Sequence, residues 1–306
     1  MRRVSSPNKA SSDDQRRYRP QMSDAGLGPS HEVVAVDEYG QLRNGFVAGE
    51  RALTLYLDDR EIVTLMTLGT HPEMLTLGYL LNQRLVPCLE SIDSIDVDWD
   101  KAAVRVETFE RITDLDDKLK HRTVTTGCGQ GTVFGRIGEQ IEKIRVAQPQ
   151  VPQSLIYRLL NCISDQNEVY KRAGAVHGCA LCSCPVVDDP TVHLFVEDVG
   201  RHNAADAISG YMWLNAIDGT DKWFYTTGRL TSEMVIKVAQ MQIPVLLSRS
   251  GVTYRGLELA RKVGVVLVAR AKGRHFLVYN GAEQVVFDAI PPAAPIGSAQ
   301  RGRRTG

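Results

Sequence analysis

The feature that most constrains the fold is the regular alternation of apolar, strand-like runs with helical segments after Thr191. The strand-like runs occupy residues 192–196, 223–227, 243–248, 265–269 and 275–279. Helical periodicity covers residues 203–215, 231–241 and 253–263, and Gly264 is placed to cap the last of these segments. Strands that alternate with helices of this length form βαβ units with right-handed crossovers. We therefore predict an α/β core with a largely parallel sheet that is covered on both faces.

The first half of the chain has a different pattern, in which strands surround one helix. Apolar residues alternate over 53–57, and two further alternating runs flank the polar residues 100–101, which predicts a hairpin. Pro72 fits the first turn of a helix. We therefore predict a smaller, β-rich α+β region over residues 31–150, followed by the α/β core domain over residues 151–290.

The two ends of the chain, residues 1–30 and 291–306, are poor in branched apolar side chains and rich in polar residues, Pro and Gly. Segments of this composition cannot bury enough apolar surface to offset the entropy of ordering. We therefore predict a disordered tail at each end. The C-terminal tail is basic, and its Arg301, Arg303 and Arg304 are interpreted as solvated.

Charge and apolar patterning exclude several classes of protein. Lys and Arg together number 36, as do Asp and Glu, so no global field favours nucleic acid as a partner. Residues 1–30 lack the apolar core of a signal peptide, and no apolar run approaches the ~20 residues that a membrane span needs. The six cysteines then favour free thiols in a reducing, cytoplasmic setting over a disulfide framework.

The segment 125–135 contains four glycines and Cys128. No periodic apolar face runs through it, so its backbone is free to adopt positive φ and we interpret it as a loop. An accessible thiolate in such a loop suits the transfer of sulfur between partners. The alternative is a free cysteine in an ordinary surface turn, and the sequence leaves both interpretations open.

Each of the first four predicted strands of the α/β core is followed by an arginine near a glycine. The four segments that follow these strands are 197–203, 227–229, 249–251 and 270–275. Ligands of open α/β sheets bind outside the carboxyl ends of the strands, and arginine with glycine suits the recognition of phosphate. We therefore predict an anion site that includes Arg201 and Arg229, with His202 and His275 as further candidates. The alternative is that the arginines pair with surface carboxylates or are solvated, and that the histidines are structural.

Cys179, Cys182 and Cys184 form one short run that begins two residues after His177. Zinc sites usually take four ligands in two separated pairs, and the sequence offers no second pair. Buried thiols or secondary redox chemistry are the alternatives, and no metal is predicted.

Several of these motifs together resemble the FdhD family, the formate dehydrogenase accessory sulfurtransferases. In chain order the matching motifs are Thr126-Gly127-Cys128-Gly129, Glu197-Asp198-Val199-Gly200-Arg201-His202-Asn203-Ala204, Gly228-Arg229, Glu233-Met234-Val235 and Lys272-Gly273-Arg274-His275-Phe276-Leu277-Val278-Tyr279. The likeness runs from about Ala48 to Tyr279, and the run that starts at Glu197 is its most specific part.

The resemblance implies a cytidine-deaminase-like, three-layer α/β core that works as a homodimer. It also implies a protein that takes persulfide sulfur from a cysteine desulfurase and passes it to the molybdenum cofactor, Mo-bis(molybdopterin guanine dinucleotide). The client would be formate dehydrogenase or a related molybdoenzyme, and Cys128 takes the place of the persulfide-carrying cysteine. The residues on the cofactor-binding stretch of the family are Arg270, Ala271, Lys272, Gly273, Arg274 and His275, to which the anion site adds Arg201, His202 and Arg229.

The chain departs from the family pattern at two places. Gly131 stands where the family loop has a second cysteine, so Cys128 acts alone or with one of the three clustered cysteines. Gln83 and its neighbours differ from the Ser-Glu-Gly that usually follows the first helix.

Two alternative functions follow from these observations. The missing second cysteine favours a non-catalytic chaperone that delivers the cofactor without sulfuration. The fold resemblance raises a zinc-dependent, deaminase-like hydrolase, but that chemistry uses His-x-Glu, and His177-Gly178-Cys179 lacks the glutamate.

Overall fold

The computed structural model describes residues 18–115, 119, 123–124, 131–132, 141 and 143–291. Its N-terminal strands are β1 (Gln21–Met22), β2 (Ser30–Val36), β3 (Leu42–Ala48), β4 (Arg51–Leu57), β5 (Arg60–Thr67), β6 (Ile92–Asp98), β7 (Ala103–Thr108), β8 (Thr123–Val124) and β9 (Gly131–Thr132). The later strands are β10 (Val151–Pro152), β11 (His177–Ser183), β12 (Thr191–Asp198), β13 (Lys222–Thr226), β14 (Val245–Ser248), β15 (Val266–Lys272), β16 (His275–Asn280) and β17 (Val285–Val286). The helices are α1 (Pro72–Asn82), α2 (Gln153–Ser164), α3 (Glu168–Ala173), α4 (Arg201–Asn215), α5 (Ser232–Gln240) and α6 (Tyr254–Val263), with 3₁₀ turns at Leu89–Ser91 and Ala282–Gln284.

The N-terminal sheet has five strands in the order β1-β6-β7-β4-β5. Alternation places Leu53, Leu55 and Leu57 of β4 in the core, and β6 and β7 form the antiparallel pair expected around residues 100–101. Helix α1 begins at Pro72, whose fixed φ suits a first turn. The predicted strand β4, hairpin and first helix are therefore confirmed. The separate hairpin of β2 and β3 was not predicted.

Residues 18–30 are ordered, so the predicted N-terminal tail is too long. Strand β1 pairs with β6, and both the Ser23 hydroxyl and the Ala25 N–H donate to Oε1 of the buried Glu73. The indole N–H of Trp99 donates to the Ala25 carbonyl at 2.7 Å. The prediction from composition is wrong because backbone pairing and buried hydrogen-bond partners hold this segment, and Tyr18 and Ala25 pack against the core.

The C-terminal sheet has six strands in the order β12-β11-β13-β14-β15-β16. As predicted, β13, β14 and β15 pair in parallel and are connected through α5 and α6. However, β11 runs antiparallel to both of its neighbours, and β16 returns antiparallel to β15. Only two of these five pairings are parallel, so the expectation of a largely parallel sheet is wrong. The main reason is the unpredicted strand β11, whose small and sulfur-containing residues carry no clear strand pattern.

Helices cover both faces of this sheet, as predicted. Phe224 of β13 packs in a core that also contains residues of α4, α5 and α6, whereas its neighbours Trp223 and Tyr225 pack in a second core with α2. The first core continues into the N-terminal sheet, where it includes Leu55. The molecule is thus a mixed α/β structure in which one apolar core joins the five-stranded and the six-stranded sheet.

Helices α1 and α4 approach each other closely at two glycines. A Cβ atom on Gly78 would lie 1.7 Å from the carbonyl oxygen of Asp206, and one on Gly210 would lie 2.0 Å from the carbonyl oxygen of Met74. Only glycine permits such an approach. The close contact allows Asn82 of α1 to reach the Asp206 side chain of α4, which it contacts at 2.6 Å.

Among the helices that the structure describes, none is long and apolar enough to cross a bilayer. The domain boundary near residue 150 stays a prediction. Residues 1–17 and 292–306, which make up most of the two predicted tails, lie outside the described residues.

Candidate functional site

One edge of the C-terminal sheet gathers the segments that were predicted to form an anion site. His177 at the start of β11 is paired with Asp198 at the end of β12. The Thr227 N–H donates to the Gly178 carbonyl, so the end of β13 lies at the same edge. The ends of β14 and β15 lie next to it, because the Arg249 N–H donates to the Thr226 carbonyl and the Arg270 N–H donates to the Ser250 carbonyl. The sheet topology therefore brings these strand ends together.

Basic side chains dominate this edge. The pKa of His177 is lowered, first by its partial burial and then by the positive charges of Arg201, Arg229 and Arg249. The backbone contacts between the strand ends, and the packing of Arg201 over Gly228, bring these arginines to the same edge of the sheet as His177. Arg229 is exposed, Arg249 is half-buried, and Arg201 is buried at 7% exposure. Such a cluster suits an anionic ligand that carries several charges.

Aromatic and glycine residues fix two of these arginines. The Arg249 guanidinium lies 5.1 Å from the ring centroid of Tyr170, on α3. The aliphatic stem of Arg201 passes over Gly228, where an added Cβ would lie 2.7 Å from the Arg201 Cδ. Gly228 therefore makes room for the buried arginine. Sequence reasoning placed Arg249 at a strand end but did not include it among the site residues, and it considered His177 only as a metal ligand.

The two acidic residues before Arg201 are occupied by internal hydrogen bonds. The Glu197 carboxylate accepts the backbone N–H groups of Val169 and Tyr170 at 2.7 and 2.9 Å. Burial raises the pKa of Glu197, and these two hydrogen bonds oppose the rise. The acid thus anchors α3 beside the basic edge, so that Tyr170 can contact Arg249.

Asp198 has a similar role between the two sheets. Its Oδ2 accepts the Thr67 hydroxyl at 2.5 Å and the Leu68 N–H at 3.0 Å, and its Oδ1 accepts the Gly200 N–H at 2.9 Å. Burial raises its pKa, against the effect of these hydrogen bonds. Asp198 therefore connects the N-terminal sheet to the start of α4, where Arg201 begins the helix.

His202 is buried beneath the basic edge, at 2% exposure. Its Nε2 lies 3.3 Å from Oε2 of Glu233. Burial, followed by the charges of Lys237 and Arg201, lowers the pKa of His202 to about 2, so the ring is neutral. In this position His202 supports the start of α4 from inside and does not reach the surface where a ligand would bind.

The stretch from Arg270 to His275 divides between the two faces of the sheet. Arg270 is exposed beside Gly251, at a β-bulge where its φ is +54°. Ala271 is buried in the core under α2. Lys272 pairs with His275 across the hairpin turn that holds Gly273, and both side chains are exposed.

Arg274 lies against the α2 face of the sheet. It donates to the Ile290 carbonyl at 2.8 Å, and its guanidinium lies 5.1 Å from the Tyr157 ring centroid. With His275 it lines a cavity of about 410 Å³ whose aromatic wall includes Tyr157, Phe276 and Phe287. Arg274 and His275 thus belong to a second, aromatic pocket, separated by the sheet from helix α4 and Arg201.

Cys128 lies outside the described residues, as do residues 125–130 as a whole. The strands that flank this segment, β8 and β9, pair antiparallel, with Val124 opposite Gly131.

Of the clustered cysteines, Cys179 and Cys182 lie on strand β11 and point to opposite sides of the sheet, whereas Cys184 follows the end of the strand. Cys179 packs in the core shared with α4, and Cys182 packs in the core under α2. Burial raises the pKa of Cys179 to about 12 and the pKa of Cys182 well above its usual value. Within the described part of the chain no three His, Cys, Asp or Glu side chains are placed to hold a metal ion. Cys179 and Cys182 therefore fit the buried-thiol interpretation.

Comparison with known proteins gives a consistent family assignment. The model of the FdhD/NarQ family matches residues 48–286. A sulfur carrier protein FdhD from Wolinella succinogenes is 27% identical over 239 residues, which cover 78% of this chain and 82% of that protein. A sulfur carrier protein FdhD from Listeria monocytogenes serotype 4b is 27% identical over 262 residues, or 84% and 98% of the two chains.

A solved structure is also similar. The crystal structure of a formate dehydrogenase accessory protein from Desulfotalea psychrophila matches with a TM-score of 0.64 and 26% sequence identity. The match covers 84% of this chain and 98% of that one.

Proposed function

The chain belongs to the FdhD/NarQ family, and on that premise we propose that it is a sulfur carrier that serves a formate dehydrogenase or a related molybdoenzyme. In this proposal Cys128 accepts sulfur from a cysteine desulfurase. It then passes the sulfur to Mo-bis(molybdopterin guanine dinucleotide) before that cofactor is inserted into the client. The names of the relatives support the sulfur-carrier and accessory roles, while the donor, the cofactor and a homodimer in the cytoplasm follow from the family resemblance.

The observation that carries the proposal is the gathering of Arg201, Arg229 and Arg249 at the strand ends next to His177, at an edge where the neighbouring acids are already hydrogen-bonded. Each guanine dinucleotide tail of the cofactor carries a pyrophosphate. Forked guanidinium donors suit such groups, and internal satisfaction of Glu197 and Asp198 limits repulsion of the anion.

The aromatic pocket on the other face of the sheet offers a second contact for the cofactor. Tyr157 and Phe276, whose ring centroids are 5.8 Å apart, supply flat apolar surface, and Arg274 adds a positive charge. These features suit a purine base attached to a phosphate. We further propose that the sheet, with helices on both faces, has the cytidine-deaminase-like layering that the family resemblance implies.

The sulfur transfer needs two exchange steps. The Cys128 thiolate attacks the outer sulfur of the desulfurase persulfide, the S–S bond of the donor breaks, and the donor cysteine leaves as a thiolate. Cys128 then carries the persulfide. Delivery of its terminal sulfur to the cofactor would release Cys128 as a thiolate, and two electrons from a thiol reductant would bring the delivered sulfur to the sulfide level. The basic edge contributes by holding the acceptor near the carrier, since proximity lowers the barrier of a bimolecular transfer.

The experiment that tests this function is peptide mass spectrometry after incubation of the full chain with a cysteine desulfurase and cysteine. The expected result is a gain of one sulfur on the Cys128 peptide that disappears after reduction and is absent from Cys128→Ala. Sulfur on the peptide that contains Cys179–Cys184 instead would place the carrier elsewhere.

A second candidate function is a chaperone that binds the cofactor and delivers it without sulfuration. It is favoured by Gly131, which replaces a second loop cysteine, and by the burial of Cys179 and Cys182, which keeps them from taking its place. An unmodified Cys128 peptide, together with full client activity in Cys128→Ala, would select this function.

A further inference from the structure

Helix α3 lies beside the basic edge and supplies Tyr170, the aromatic contact of Arg249. The helix has only 6 residues, and none of them is buried. Helices this short are marginal in water and depend on contacts with the rest of the protein. The place of α3 is therefore fixed by contacts other than core packing.

The N-terminus of α3 is held by an acid from strand β12. The side chain of Asn167, at the N-cap position, makes no capping hydrogen bond and donates instead to the Ile163 carbonyl at 3.1 Å. The two oxygens of the Glu197 carboxylate accept the N–H groups of Val169 and Tyr170 in its place. A carboxylate makes strong hydrogen bonds to backbone N–H groups, and its charge complements the positive end of the helix. Glu197 is thus the cap of α3, supplied by another element.

The remaining side-chain contact of the helix leads away from the sheet. The Arg172 guanidinium lies 3.5 Å from the ring centroid of Phe46, in the separate two-stranded hairpin of β2 and β3. Within the described part of the chain, no hydrogen bond other than the two to Glu197 joins α3 to the six-stranded sheet. The distance of α3 from the strand ends therefore depends on Glu197.

Arg249 in turn depends on α3. Its guanidinium lies 5.1 Å from the ring centroid of Tyr170. Among the residues that the structure describes, its side chain has no carboxylate or hydrogen-bond acceptor as a partner. A long side chain without such a contact would lose rotamer freedom when it binds a ligand, and that loss would weaken binding. The stacked ring restricts Arg249 before the ligand arrives.

We infer that Glu197 is a positioning residue for the basic edge. By capping α3 it holds Tyr170, and through Tyr170 it holds Arg249 in place for an anion. The inference rests on the proposed function, in which this edge binds the phosphates of the cofactor. It reverses the effect expected from charge alone, because removal of a negative charge beside an anion site should strengthen anion binding.

Isothermal titration calorimetry of the full chain with inorganic pyrophosphate tests this sign. Glu197→Gln keeps one acceptor oxygen and places an NH₂ group against the second N–H of the helix, so we expect binding to weaken about fivefold. Glu73→Gln is the matched control. Glu73 is also 8% exposed and accepts the Ala25 N–H at 2.7 Å, but it holds the segment 18–30, so its variant should bind as the wild type does.

Two outcomes of this titration would overturn the inference in different ways. Unchanged or tighter binding by a folded Glu197→Gln, with a wild type that binds, would remove the positioning role and leave the anion site intact. A wild type that does not bind pyrophosphate would remove the anion site itself, and the role of Glu197 with it.

Two further variants test whether the effect passes through Arg249. Tyr170 is 45% exposed, so Tyr170→Leu should fold, and it should weaken pyrophosphate binding as Glu197→Gln does. Arg249→Met should weaken binding about tenfold, and addition of Glu197→Gln to this variant should cause no further loss. Additive losses would show that Glu197 acts on some other part of the site and would overturn the inference.

Chemical labelling gives a measurement that needs no anion. Phenylglyoxal modifies accessible guanidinium groups, and peptide mass spectrometry reports the rate at the half-buried Arg249. The rate should be higher in Glu197→Gln and in Tyr170→Leu than in the wild type and in Glu73→Gln, with circular dichroism confirming that each variant is folded. Equal rates in all four proteins would show that α3 does not hold Arg249 and would overturn the inference.

Discussion

A Cβ atom on Gly228 would lie 2.7 Å from the Cδ of Arg201, so the backbone after β13 and the first arginine of α4 fit together only without a side chain at residue 228. Arg201 is buried and cannot move aside freely. This contact positions Arg201 within the basic cluster. The arrangement of the cluster therefore depends on Gly228, which has no charge.

Gly228→Ala should therefore displace Arg201 and weaken anion binding. With inorganic pyrophosphate as the probe, we expect an affinity loss of about five- to tenfold, or roughly 1 kcal/mol, as for one charge-assisted hydrogen bond. Isothermal titration calorimetry measures the change. Gly28→Ala is the control, because an added Cβ there meets no atom within 4 Å. An unchanged affinity in Gly228→Ala would remove Arg201 from the proposed site.

The buried ion pair of Lys237 and Asp206 should contribute strongly to the stability of the protein. Its Nζ and Oδ1 atoms are 2.6 Å apart, and both side chains are almost fully buried. Lys237→Met leaves an uncompensated buried carboxylate, so the free energy of unfolding should fall by about 3–5 kcal/mol. Urea titration measures this loss, and the double variant Lys237→Met/Asp206→Leu should recover much of it. A loss below about 1 kcal/mol in the single variant would contradict the pairing.

Stability should fall below about pH 6.5 because of His202. Its pKa is about 6.5 in the unfolded chain and about 2 in the folded one, so the unfolded state gains a proton that the folded state does not. His202 alone contributes a slope of up to about 1.4 kcal/mol per pH unit, with stability lost as the pH falls. Urea titrations between about pH 7 and pH 5 should give a shallower slope for His202→Gln than for the wild type. Identical slopes would show that His202 is charged in the folded protein.

The thiols should differ strongly in reactivity. Cys88 is exposed, whereas Cys179 is fully buried with a pKa raised to about 12. Because the thiolate is the reactive form, iodoacetamide at about pH 8 should modify Cys88 in the native protein and Cys179 only after unfolding. Peptide mass spectrometry reads out each site. Rapid native modification of Cys179 would restore it as a candidate second sulfur relay.

Much of the fold follows from periodic patterns in the sequence. The alternation of apolar residues locates β4, and the strand-helix rhythm after Thr191 locates β13 to β15 with α5 and α6. Strand β11 was not predictable in this way, since glycine, cysteine and alanine give no clear period, and its insertion makes most of the sheet pairings antiparallel. The order of residues 18–30 depends on partners such as Glu73 that are distant in sequence.

The candidate site was predictable to the extent that it depends on topology. Arg201, Arg229 and Arg249 follow successive strands, and strand ends at one edge must converge. By contrast, the side on which Arg274 lies depends on the bulge at Arg270, where a non-glycine residue has a φ of +54°. The sequence contains no pattern that predicts this bulge. The placement of Arg270 and Arg274 on different faces of the sheet could therefore be seen only in the structure.

Sulfur loading and sulfur delivery should be measured on the same samples in a paired assay. Radiolabelled sulfur from a cysteine desulfurase is followed first onto the protein and then onto the molybdenum cofactor, together with the activity of the client formate dehydrogenase. We expect Cys128→Ala to lose both loading and delivery, whereas Arg229→Ala should load normally and deliver poorly. Full delivery by Cys128→Ala would show that Cys128 is not the sulfur carrier.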